Sequence, residues 1–124
     1  MKALEMIDLA DELCPNQYPA EQKYAWLADF EGKVLGELIS GHEDEQAQAY
    51  AEIDRSEGRD FELIIPAPHA RDVYVSFLLS KIAEANAEID RYNLHAAAFN
   101  AAYGQFCAGY GRTHRSAPWK GWRF

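Results

Sequence analysis

From Val75 to Tyr110, apolar residues return in alternating steps of three and four. They are Val75, Leu78, Ile82, Ala85, Ile89, Tyr92, Ala96, Phe99, Tyr103, Phe106 and Tyr110. A half-buried strand alternates every second residue, so this period selects helix. A 3.5-residue repeat held for about five heptads predicts a long helix packing lengthwise against others. Such a helix reaches on the order of 60 Å at 1.5 Å per residue. A hinge at Asn86 or the adjacent turn would divide it into two collinear helices. Gly109 and Gly111 are expected to end it. Tyr92, Phe99, Tyr103 and Phe106 keep the register, so they read as the seam of a helix rather than as a pocket. Asn93 and Asn100 lie one step off that seam, at its edge.

The N-terminal half predicts shorter helices. "ALEMIDLADEL" offers Leu4, Met6, Ile7, Leu9 and Leu13 for one broad apolar face. "CPNQYP" then makes a turn, because it holds two prolines and an asparagine. A second helix is expected from Pro19, with Glu21 complementing its dipole. Tyr24, Leu27, Phe30, Val34 and Leu38 share one face, and Gly41 is a natural stop. Gly32 and Gly36, four apart, would mark a face where another helix comes close. Residues 42–62 hold eight acids and two arginines and read as a solvated loop. "FELII" is short and apolar, either a strand or an extended arm packing on the helices. Pro66 and Pro68 close it and prepare the next helix. The fold expected is therefore all-α, with a long C-terminal helix and a short extended segment near residues 61–66.

The 124 residues suit one domain, and 48 % of them are apolar, enough for a core. The formal net charge is −8. That disfavours a general nucleic-acid binder and adhesion to anionic membranes. The charge is unevenly spread. Residues 112–124, "RTHRSAPWKGWRF", carry +4 with no acid, which leaves −12 on residues 1–111. The organisation expected is a helical body over 1–111 and a basic aromatic tail over 112–124. Glu5 and Asp8 make the N-terminus unlike a signal peptide, and no apolar run is long enough to span a bilayer.

Little points to catalysis. His42, His69, His95 and His114 have no metal-binding spacing, and no nucleophile–base partner stands out in the sequence. Neither a phosphate-binding loop nor a nucleophile elbow is present. "DRSEGRDFE" lacks the alternating ligands of a calcium loop. No enzyme activity, cofactor or metal is expected. Cys14 and Cys107 read as two reduced thiols rather than a disulfide. The acidic cluster Glu43, Asp44 and Glu45 is a solvated loop or, more sharply, a channel or intersubunit surface that repels phosphates.

The tail holds Arg112, Arg115, Trp119, Lys120, Trp122, Arg123 and Phe124. Tryptophan and arginine dominate interface energetics. The tail either docks into a partner's groove or folds back onto its own helices.

Several landmarks together resemble a known family. Pro66 and Pro68 precede Tyr74-Val75. Arg91-Tyr92-Asn93, Phe99-Asn100-x-x-Tyr103 and Arg112-x-His114 follow. Over about residues 60–115 this pattern resembles the small helical head–tail connector (adaptor, or head-completion) proteins of tailed phages and prophages. The helix from 19 to 40 matches more loosely. The chain departs from the pattern at Gly109-Tyr110-Gly111. The resemblance implies a structural subunit that joins a homo-oligomeric ring beneath the phage portal protein. It also implies an extended DNA channel and a platform for neck or tail completion proteins. Residues 112–124 become the portal-docking segment, and the location becomes the neck of a virion assembled in the bacterial cytoplasm. No sequence-specific nucleic acid and no membrane are implied. The alternative is a DNA-packaging or regulatory helical protein of the small-terminase type, which the net charge disfavours.

Overall fold

A computed structural model describes residues 2–36, 60–66 and 68–113. Four helices follow in order: α1 (Ala3–Leu13), α2 (Ala20–Val34), α3 (His69–Ala85) and α4 (Ile89–Thr113). No strand forms among the described residues. The only pairing is an isolated antiparallel bridge between Lys2 and Glu62. The all-α expectation holds.

The long heptad run is not one rod. Asn86, Ala87 and Glu88 break it, and α4 folds back antiparallel along α3. The ring contacts set the direction: Phe77 meets Phe99 at 5.8 Å and His69 meets Phe106 at 5.9 Å. The break has a defined hydrogen-bond pattern. Glu88 N–H donates to the Ala83 carbonyl at 2.9 Å, and Ala87 N–H to that of Glu84 at 3.1 Å. These are the paired bonds that close a helix through a left-handed residue. Ala87 supplies that residue, with φ 57°. The expectation of two collinear helices is thus corrected to a hairpin. Ala85, Ile89 and Tyr92, midway along the run, fall at its tip and are exposed.

α3 is the central helix. It is buried on most sides, through Ala70, Val73, Tyr74, Val75, Leu78, Leu79, Ile82 and Ala83. A helix apolar nearly all round must be covered from several directions. α4 covers one side of α3, and α1 and α2 cover others. In α2, Tyr24, Leu27, Phe30 and Val34 are all buried, as their spacing requires. α1 buries Ala3, Met6, Ile7 and Ala10, and Leu9 packs partly buried against the core. Of the expected apolar face, Met6, Ile7 and Leu9 meet the core, while Leu4 and Leu13 are exposed. The space beside Gly32 and Gly36 is open among the described residues, and no helix closes on them. Leu38 and Gly41 lie outside the described residues.

Residues 60–66 form an extended arm. Phe61, Leu63, Ile64 and Ile65 are each at most 3 % exposed. Three successive buried residues do not fit a strand with one wet face. The arm also secures α1: Ala3 N–H donates to the Phe61 carbonyl at 2.9 Å, and Leu4 N–H to Asp60 Oδ1 at 3.0 Å. Both donors belong to the first turn of α1, which has no partners of its own there.

α4 also runs past its expected end. Gly109 and Gly111 lie within it, and the helix continues to Thr113. Each glycine costs about 1 kcal/mol in a helix interior. Burying Phe106 and Tyr110 offsets that cost.

Candidate interaction surface

The inner side of α4 is an aromatic ladder built on the core. Phe99 stacks on Tyr103 at 5.6 Å, Tyr103 on Phe106 at 6.4 Å, and Phe106 meets Tyr110 at 5.9 Å. Phe30 of α2 is the ring that ties the helices together. It stands edge-on to Tyr74, Phe99 and Tyr103 and stacks on Phe77 at 5.0 Å. Offset and edge-to-face arrangements at these distances add to the burial itself. Among the four seam residues, Phe106 is buried and Phe99 and Tyr103 are partly buried against the core. Tyr92 departs from the seam: it is 37 % exposed, because it sits one turn beyond the hairpin tip. Asn93 and Asn100 are exposed.

Two charged side chains are buried where neutral ones would be expected. Glu31 is fully buried, and its Oε1 accepts from the Tyr74 hydroxyl at 2.8 Å and from Ile64 N–H at 3.2 Å. Ile65 N–H donates to the Tyr74 hydroxyl at 3.0 Å. The extended arm has no sheet partner, so side chains must satisfy its buried amides. Lys23 is 3 % exposed and pairs with Asp11 at 2.7 Å, which holds α2 against α1. Asn16 joins Asp11 at 3.0 Å, and Tyr18 reaches on to Asn86 in the hairpin turn. The sequence carried a signal for both. Lys23, Leu27, Phe30, Glu31 and Val34 share one helical face, so a charge there has to be buried or paired. Both groups have structural partners, which makes them parts of the frame.

Tyr24 has a displaced titration. Burial raises its phenol above the ordinary value, and the carboxylates of Asp60 and Asp8 raise it further.

Of the histidines, His69 packs on Phe106 and His95 is half-buried. His42 and His114 lie outside the described residues. No group of three or more His, Cys, Asp or Glu side chains is placed to hold a metal among the described residues. Cys14 and Cys107 are both free and partly buried. A disulfide needs Cα atoms within about 7 Å. No bond joins these two.

Two further surface features are a groove and a helix side. The groove, of about 300 Å³, runs between α2 and α3 and is lined by Trp26, Asp29, Lys33, Phe77 and Lys81. The helix side is the outward face of α4. No Asp, Glu, Lys or Arg stands between Arg91 and Arg112, a run of 20 residues. Leu94 on that face is 67 % exposed. Depletion of charge is one feature of interface centres. No helix of the described residues is long and apolar enough to cross a membrane.

Glu43, Asp44 and Glu45 lie outside the described residues. So do Arg115, Trp119, Lys120, Trp122, Arg123 and Phe124. Arg112 falls within α4.

No protein-family model, no curated protein and no solved structure matches this chain.

Proposed function

We propose that this chain is a non-enzymatic assembly subunit, the head–tail connector of a tailed phage or prophage particle. The observation that carries the reading is α4. Its inner side is anchored by rings, its outer side is exposed and uncharged, and it leads directly into the basic aromatic tail.

In this account the α3–α4 hairpin is a stiff beam beside its ring neighbours. The aromatic ladder keeps it straight. The tail supplies the anchors for the portal protein, with Trp119, Trp122 and Phe124 entering an apolar or acidic groove. Arg115, Lys120 and Arg123 match acidic groups at its rim. Glu43, Asp44 and Glu45 face the DNA channel or a neighbouring subunit. Neck or tail completion proteins bind the opposite end of the ring.

Tail tryptophan fluorescence tests the docking step. Phenylalanine replaces Trp26, leaving Trp119 and Trp122 as the reporters. Adding the portal protein encoded beside this gene is expected to shift their emission to shorter wavelength as the rings leave water. An unchanged spectrum at saturating portal protein removes the tail from the interface.

A further inference from the structure

The tip of the α3–α4 hairpin leaves part of the seam uncovered. Ile89 and Tyr92 keep its register, yet they are 72 % and 37 % exposed. Between them and the end of α3 lies a mostly apolar pocket of about 130 Å³, lined also by Ala83, Glu84, Ala87 and Glu88. An apolar cavity of about that size admits a benzene ring. The side chains of the turn hold the pocket in shape. Tyr18 donates to Asn86, Asn86 donates to Glu88 at 3.1 Å, and Arg91 pairs with Glu88 at 3.1 Å. Asp90, next to Ile89, is exposed and makes no ion pair among the described residues.

We propose that this pocket takes a tail tryptophan of a second copy, with the cation that follows the ring set against the carboxylates of the tip. Composition and charge choose this occupant. Trp119-Lys120 and Trp122-Arg123 each place a cation directly after a ring. Residues 114–124 hold Arg115, Lys120 and Arg123 and no acid, against −12 on residues 1–111. Rings of this kind anchor interfaces, and opposite charge guides the encounter.

Reach makes the contact intermolecular. Thr113 lies 24 residues along α4 from Ile89, which is about 36 Å of helix. Trp119 and Trp122 follow Thr113 by six and nine residues. Fully extended, those lengths span at most about 22 Å and about 32 Å. Neither ring reaches the pocket of its own chain.

A tail in the next copy's tip is a head-to-tail contact, which leaves a free tip at one end and a free tail at the other, so further copies can add. One ring in one small pocket makes the association weak. The contact needs no portal protein, so it stands or fails apart from the connector reading. A tail held by a neighbour's tip is not free for a portal groove, so the two contacts alternate.

Sedimentation velocity of the full chain at low salt, over a wide concentration range, is the test. Reversible growth beyond the dimer is expected, and added salt should reduce it. Ile89→Arg sets a cation at the mouth of the pocket. Trp119→Ser with Trp122→Ser removes both rings. Each of these two variants should associate at least about tenfold more weakly than the parent. Their far-UV circular dichroism should match the parent. Mixed together, they should form a heterodimer that grows no further, because one supplies the only intact tail and the other the only intact tip. A chain that stays monomeric at the highest concentration overturns the proposal. So does association indifferent to either change, or a mixture that forms no heterodimer.

Discussion

The Tyr74 hydroxyl donates to Glu31 Oε1 at 2.8 Å and accepts from Ile65 N–H at 3.0 Å. One oxygen thus joins α2, α3 and the extended arm. Tyr74→Phe removes it and withdraws a partner from a buried amide and a buried carboxylate. A buried group left without its partner costs about 1–3 kcal/mol. Urea unfolding should show that loss as a lower midpoint with an unchanged slope. A variant as stable as the parent would mean that water or rearrangement replaces the hydroxyl.

Phe30 is in contact with rings from both arms of the hairpin. Phe30→Ala should cost about 3–5 kcal/mol. Phe99→Ala, at a partly buried site, should cost less than Phe30→Ala. Thermal unfolding of the two variants orders them. The reverse order would move the centre of the core from α2 to α4.

Ala87 adopts φ 57° in the turn between α3 and α4. A residue with a Cβ is strained there, and glycine is not. Ala87→Gly should therefore stabilise the fold by about 0.5–1 kcal/mol. The gain is read as a raised midpoint in thermal unfolding. In an ordinary helical position the same substitution would destabilise by a similar amount, so the sign is the test.

Burial, then Asp60 and Asp8, raises the phenol of Tyr24. The folded chain holds this proton more tightly than the unfolded chain does. The linked stability is present below the unfolded value of about 10 and is lost as pH rises through the folded value. Tyrosinate absorbance should show a late component that Tyr24→Phe removes. Stability of that variant should fall less steeply at alkaline pH than stability of the parent.

Much of the helical pattern was legible because period and burial agree. Tyr24, Leu27, Phe30 and Val34 are spaced as one face and are buried as one face. The hairpin was hidden for a local reason. Its turn contains neither glycine nor proline, and Ala87 gives no sign in sequence that it is left-handed. The seams of α3 and α4 both point inward, so the heptad count runs through the turn without a skip. Gly109 and Gly111 misled in the opposite direction. Their cost is local, while the burial of Phe106 and Tyr110 that outweighs it is tertiary. Glu31 pairs with residues 33 and 43 positions away, at Ile64 and Tyr74. No local pattern specifies such partners. The exposed side of α4 was visible as an uncharged run. Recognising it as a surface required knowing which side the aromatic ladder occupies.

The central claim is that this chain is a subunit built to join a ring. Native mass spectrometry of the chain mixed with its neighbouring portal protein tests it most directly. Several copies of the full chain are expected on each portal ring, with that complex lost when the chain is cut after Thr113. A portal ring that binds no copies of the full-length chain would contradict it.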